Sequence, residues 1–199
     1  MRIGIDIDDT ITNSWQCIIP LYSKEFNIPI EELEKSKPYY GAINHLITID
    51  EYYELMKGKC DSFAANVELK ENVKETLTKL HNNGYEIIFI TARGKEHKDP
   101  YQLSKDYLDK HQIPFDKLIV DSKDKSIACI EEEIDIFIDD SLKHCKEVAE
   151  KGFEVLLFET NYNKEDQEFK HMKDWNEIYE YIKNRWYKCK TIEYYQVIY

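Results

Sequence analysis

Arg2-Ile3-Gly4-Ile5-Asp6-Ile7-Asp8-Asp9-Thr10-Ile11-Thr12 decides the reading of this chain. A short apolar strand runs directly into three carboxylates and two hydroxyls. Buried parallel strands read as near-continuous hydrophobic runs, and ligands of open α/β sheets bind beyond the carboxyl ends of such strands. Carboxylates crowded this closely repel one another unless a cation lies among them. The stretch therefore predicts a metal-dependent active site at the tip of the first strand.

Strand and helix patterns alternate from residue 73 onward. Helical periodicity covers Val73–Asn83 and ends at Gly84, a C-terminal cap of the kind glycine supplies. An apolar strand, Tyr85–Ile90, runs into Thr91-Ala92-Arg93-Gly94. An amphipathic helix over Pro100–His111, a strand over Lys117–Val120 and a helix over Lys125–Glu133 follow. A strand over Asp135–Ile138 leads into Asp139-Asp140-Ser141. A helix over Leu142–Lys151, a fifth strand over Phe153–Phe158 and a final helix over Trp175–Lys188 complete the pattern. Such alternation indicates βαβ units and a parallel sheet, so the fold class is α/β, a three-layer Rossmann-like arrangement.

Residues 13–72 break that rhythm. They show no clear strand, contain Pro20, Pro29 and Pro38, and read as helical pieces over Trp15–Phe26, Ile30–Lys35 and Asp50–Lys57. They are expected to form a helical cap over the carboxyl end of the sheet, with residues 1–12 and 73–190 as the core. The Tyr- and Ile-rich tail, 191–199, reads as a short extra strand or an interaction segment.

Composition bounds the function. A chain of 199 residues holds one α/β core and a modest insertion, not two ordinary domains. The net charge of −12, with 24 lysines and only three arginines, argues against binding nucleic-acid polymers through their backbones. Small phosphorylated partners remain open, because a bound divalent cation can dominate the local field. Cys17, Cys60, Cys129, Cys145 and Cys189 show no metal-ligand spacing and read as reduced cysteines. No apolar run approaches transmembrane length, and the N-terminus is already a strand rather than a signal peptide. A cytoplasmic protein without membrane attachment is expected, and a homodimer is compatible with the sequence.

Asp6-Ile7-Asp8-Asp9-Thr10, Ile90-Thr91-Ala92, Asp124-Lys125-Ser126 and Ile138-Asp139-Asp140-Ser141 appear in the order of the four motifs of the haloacid dehalogenase superfamily of phosphohydrolases, which the chain resembles. The resemblance implies strand order 3-2-1-4-5 and catalysis on phosphate monoesters. It makes Asp6 the nucleophile that forms an aspartyl-phosphate, and Asp8 the group that protonates the leaving alcohol and then activates water. It implies Mg²⁺, a hard cation suited to carboxylate and carbonyl oxygens. The expected ligands are Asp6, the backbone carbonyl of Asp8 and Asp140, with Asp139 a ligand or a neighbour of one. Thr10, Thr91, Ala92, Arg93 and Lys125 are the expected substrate-binding positions, with the backbone amides after Asp6 cradling the phosphoryl oxygens. Lys123 competes with Lys125 for the third motif. Arg93 either holds a substrate anion or pairs with an acid of the cap, and Asp9 reads as a turn residue outside the chemistry.

Within the superfamily the chain resembles the type C 5′(3′)-deoxyribonucleotidases and their bacterial relatives, through the cap after motif one, Phe158-Glu-Thr-Asn-Tyr-Asn163 after the fifth strand, and Trp175. It departs from them where Asp9 and Thr10 replace Gly-Val, where Ala92 replaces a hydroxyl residue, and where Ser14 occupies the place of a base-stacking aromatic beside Trp15. The resemblance implies a nucleoside monophosphate as substrate. A sugar phosphate or other small metabolite is the alternative, and a receiver-type signalling domain fits less well because its paired acids precede a separate acceptor Asp. Tyr39-Tyr40 and Tyr52-Tyr53 read as cap-packing residues before base-stacking ones. The six histidines are scattered without ligand spacing and read as structural or surface residues.

Overall fold

A computed structural model describes residues 1–36, 38, 39, 42, 43 and 45–196, with the side chains of Tyr39 and of 186–196 outside the description. Six parallel strands form the main sheet: β1 (Arg2–Ile5), β4 (Glu86–Ile90), β5 (Lys117–Ile119), β6 (Ile136–Asp139), β7 (Glu154–Phe158) and β8 (Lys170–Met172). Their order is β5-β4-β1-β6-β7-β8. This is the expected 3-2-1-4-5 order extended by one edge strand, Lys170–Met172. Those three residues, Lys170, His171 and Met172, have no apolar run for a strand signal.

Alternation along the strands sorts side chains to two faces. Ile3, Ile5, Ile87, Phe89, Ile136 and Ile138 pack with Leu77 of α5 (Val73–Asn82), Leu108 of α6 (Pro100–Lys110) and Ile178 of α9 (Trp175–Gln196). Ile88, Ile90, Phe137 and Leu157 face the other way, against Cys129 of α7 (Lys125–Glu131) and Val148 of α8 (Leu142–Ala149). Gly4 lies on this second face, where a Cβ would stand 3.0 Å from the Phe137 ring and 3.3 Å from Ile134 and Ile90. A side chain here would press on Phe137, so glycine suits the close packing of β6 against β1.

Residues 11–70 leave and re-enter the core side by side, joined by hydrogen bonds from Asn13 N to Glu68 O (2.8 Å) and from Lys70 N to Ile11 O (2.9 Å). Between them lie α1 (Ser14–Phe26), α2 (Ile30–Glu34), α3 (Ile49–Met56) and α4 (Cys60–Asn66). Two short antiparallel strands, β2 (Pro38–Tyr39) and β3 (Ala42–Ile43), correct the purely helical reading of this segment. At two residues each, they are too short to carry a period-2 signal. Trp15, Ile19, Tyr22, Leu33, Leu55 and Met56 give the segment a core of its own. The tail is also corrected: residues 191–196 continue α9 rather than forming a strand, and 197–199 lie outside the described residues. Among the described residues, no helix is long and apolar enough to cross a membrane.

Candidate active site

The parallel register brings the ends of β1, β4 and β6 to one rim, and α7 starts beside it. The Lys125 ammonium reaches Asp6 Oδ1 and lies 2.6 Å from Asp139 Oδ2. It is buried, opens α7 behind the Asp124 cap, and packs 5.8 Å from the Phe137 ring centre. Lys123 is largely exposed, 3.9 Å from Asp121, and so is not the lysine that meets Asp6. A charge run in which one lysine is buried and one solvated cannot be resolved from residue type alone.

Asp6, Asp139 and Asp140 are all buried, with one carboxylate oxygen of each within 4.8 Å of the others. Asp139 also accepts from the Ser141 amide at 2.7 Å. Burial pushes the Asp6 carboxyl up to about 7, although Lys125 opposes the shift. Burial, together with the charges of Asp139, Asp9 and Asp6, drives Asp140 well above the usual carboxylate range. For Lys125, burial favours the neutral form, but Asp139 and Asp6 outweigh it and hold the ammonium charged. Hard oxygen donors carrying uncompensated negative charge fit a divalent cation such as Mg²⁺.

Arg93 pairs with an acid, as one of its two expected roles has it, but with a different acid. Its guanidinium makes a bidentate pair with Asp8, Nε to Oδ2 at 2.8 Å and Nη2 to Oδ1 at 2.8 Å, so it meets an acid of the core rather than of the cap. Ser14 Oγ adds a third donor to Asp8 at 2.9 Å. Burial raises the Asp8 carboxyl, but the Arg93 charge and these hydrogen bonds outweigh it and hold the group below its ordinary value. Ser14, at the place of the missing aromatic, therefore serves the acid, while Trp15 lines the cap.

Thr10, expected at the substrate, lies against Asp140. Fully buried, it donates its hydroxyl to Asp140 Oδ1 (2.9 Å) and accepts from the Asp140 amide (3.1 Å). That hydroxyl joins the first motif to the fourth. Asp9 has a turn conformation, with φ of +57°, and Oδ1 accepts from the Trp15 amide at 2.7 Å. Its other oxygen lies 3.2 Å from the Tyr162 hydroxyl, so it belongs to the site's hydrogen-bond network after all. Burial pushes its carboxyl up to about 6. Thr91 is buried on the cavity wall, where its hydroxyl accepts from the Arg93 amide at 3.3 Å; Ala92 lies beside it.

Four further side chains contact the site, and although Tyr162, Asn163 and Trp175 lie in the stretches that carry the family resemblance, the sequence gives no partner for any of them. Tyr162 donates to Asp140 Oδ2 at 2.5 Å, and Asn163 Nδ2 donates to the carbonyls of Asp140 and Phe158, both at 2.8 Å. Lys70 lies near Asp9 and Asp140 and donates to Asn13 at 3.3 Å. The Trp175 indole donates to the Thr10 carbonyl at 3.1 Å.

Two cavities meet at Asp8, Asp9, Ala92 and Arg93. One, of about 400 Å³, contains the acids, Thr91 and Lys125. The other, of about 490 Å³, lies between the inserted segment (Trp15, Ile18, Tyr52, Tyr53, Met56 and Phe63) and the loop after β4. Tyr52 packs against the cap core while also lining this cavity. Tyr40 lies outside the described residues.

The family described as cytosolic type C 5′ nucleotidase, deoxy (pyrimidine), matches residues 1–187. The chain belongs to this family. A nucleotidase of Clostridium acetobutylicum is 32% identical over 197 residues, covering 96% of this chain and 98% of that protein. Among solved structures, a haloacid dehalogenase-like hydrolase from Streptococcus pneumoniae superimposes with a TM-score of 0.62 at 17% identity, covering 91% of this chain and 97% of the other. A D,D-heptose 1,7-bisphosphate phosphatase from Burkholderia thailandensis gives 0.54 at 14% identity, covering 91% and 97%. These two share the fold. The chain is thus a phosphatase of the nucleotidase family on a haloacid dehalogenase fold.

Proposed function

We propose that this chain is a Mg²⁺-dependent phosphomonoesterase of the cytoplasm that hydrolyses nucleoside monophosphates through a phosphoryl group carried on Asp6. The supporting observation is Asp6 itself, buried against Lys125 and close to Asp139 and Asp140, in a cavity that opens onto the aromatic cap. A nucleoside has an apolar, π-rich body, and Trp15, Tyr52 and Phe63 give the cap cavity walls suited to it.

In this reading Lys125 offsets charge on Asp6 and on the transferring phosphoryl group, and the Thr91 hydroxyl donates to a phosphoryl oxygen. Asp6 and Asp140, with the Asp8 carbonyl, would hold the cation with Asp139 supporting them, and the bound cation would neutralise phosphoryl charge. An Asp6 oxygen attacks phosphorus as the ester P–O bond breaks, and Asp8, after taking up a proton from solvent, passes it to the departing alkoxide. Water then attacks the phosphorus of the acyl phosphate and Asp8 takes a proton. Inorganic phosphate leaves and the Asp6 carboxylate is restored. Because Arg93 grips Asp8 with two bonds, proton donation requires that pair to loosen first.

The test is p-nitrophenyl phosphate hydrolysis with and without chelator, followed by nucleotide and sugar-phosphate panels. Activity unaffected by chelator would remove the cation from the account. A panel with no preference for nucleotides would favour a small-metabolite phosphatase instead.

A further inference from the structure

Tyr162 touches two acids of the site that arrive from different strands. Its hydroxyl lies 2.5 Å from Asp140 Oδ2, beyond β6, and 3.2 Å from Asp9 Oδ2, beyond β1. A phenol has one proton to donate, and the shorter contact makes Asp140 its acceptor. Next to it, the Asn163 side chain donates to the Asp140 carbonyl, while its own oxygen accepts from the Thr160 amide at 2.8 Å. Residues 160–163 thus hold Asp140 twice, by its carboxylate through Tyr162 and by its main chain through Asn163.

The contact continues into the cap. The Tyr162 ring packs against the cap core, and the far oxygen of Asp9 accepts from the Trp15 amide in the first turn of α1. Asp140 carries one donor on each oxygen, Thr10 on Oδ1 and Tyr162 on Oδ2. Two donors fix the carboxylate's rotation, and each oxygen retains a lone pair for a cation. Partners of this kind typically set metal affinity because they orient the ligand.

We propose that Tyr162 is a positioning residue whose hydroxyl fixes the Asp140 carboxylate for the divalent cation. The proposal rests on the Mg²⁺ dependence inferred above. Tyr162→Phe tests it, since the ring stays in the cap core and only the hydroxyl is lost. Mg²⁺ is titrated against thermal unfolding, a readout without turnover, and against p-nitrophenyl phosphate hydrolysis. The half-saturating Mg²⁺ concentration should rise about tenfold in both, with kcat recovering as Mg²⁺ saturates. An unchanged half-saturating concentration, or a kcat deficit that no Mg²⁺ concentration relieves, would overturn the assignment. Should the unsubstituted protein itself ignore Mg²⁺, the cation reading fails as well. A response to Mg²⁺ that Tyr162→Phe leaves unaltered defeats the positioning role alone.

Discussion

Arg93 and Asp8 face each other as a fork on a carboxylate, with both hydrogen bonds at 2.8 Å. The arginine side chain is 3% exposed and the aspartate 42%. The pair therefore spans the boundary between core and active-site cavity, and it keeps the proposed proton carrier ionised and oriented. Lysine cannot reproduce a planar bidentate contact. Arg93→Lys should cost more activity on alkyl phosphates, whose leaving group needs a proton, than on p-nitrophenyl phosphate. Because Asp8 is partly solvated, the stability loss should be only about 1–2 kcal/mol, below that of a fully buried pair. Leaving-group dependence and urea unfolding measure the two effects, and equal losses on both substrates would deny Arg93 a role through Asp8.

Lys125 neutralises two buried acids, and Lys123 none of the three at the site's centre. Lys125→Met should abolish measurable turnover and destabilise the protein by about 3–5 kcal/mol, the usual cost of stranding a buried charge. Lys123→Ala should keep most of the activity toward p-nitrophenyl phosphate. Steady-state rates and denaturant midpoints of the two variants check this, and the reverse ranking would exchange their roles.

Stability should depend on pH in a direction unlike that of most acids. Asp6 titrates at about 7 in the folded protein and near 3.8 unfolded, and Asp9 at about 6. Between these limits the folded chain binds more protons than the unfolded one, so stability falls as pH rises. In chelator, the unfolding free energy should drop by roughly 4 kcal/mol from pH 5 to pH 8. Saturating Mg²⁺ should flatten or reverse that slope, because a cation favours ionised ligands. Denaturant titrations across this pH range give the answer, and a chelated protein that gains stability toward pH 8 would contradict it.

Trp15 forms part of the cap cavity and not of the acid cluster. Trp15→Ala should raise KM for nucleoside monophosphates by about 10-fold or more, as expected for losing one stacked aromatic. The effect on glycerol phosphate, which has no ring to stack, should be small. Equal changes in KM for both substrates would place the nucleoside elsewhere.

The sheet order and the rim of acids were legible because two signals are strong in sequence: apolar runs of strand length, and carboxylates at their ends. Asp6, Thr91, Lys125 and Asp140 could be brought together from motif order and strand polarity alone. The buried partners of Thr10 and Arg93 are not legible in the sequence, for a shared reason. A hydroxyl or guanidinium beside a phosphate site satisfies the nearest buried partner first, and for these residues the partners were Asp140 and Asp8, more than 80 positions distant. Tyr162 and Asn163 stand in a stretch that carries the family resemblance, but the sequence shows no partner for either side chain. Their roles depend on the loop folding back over β6, which no local pattern encodes. The edge strand at Lys170–Met172 was illegible because its pairing with β7, not its own composition, makes it a strand.

The central claim is that Asp6 carries the phosphoryl group, and acid-quench mass spectrometry tests it most directly. The protein is mixed with Mg²⁺ and excess substrate, denatured in acid during turnover, and digested. The peptide containing Asp6 should carry one added phosphoryl group that hydroxylamine removes, and Asp6→Asn should show neither label nor turnover. Turnover by Asp6→Asn at the unsubstituted rate, or a phosphoryl group on any other residue, would contradict the account.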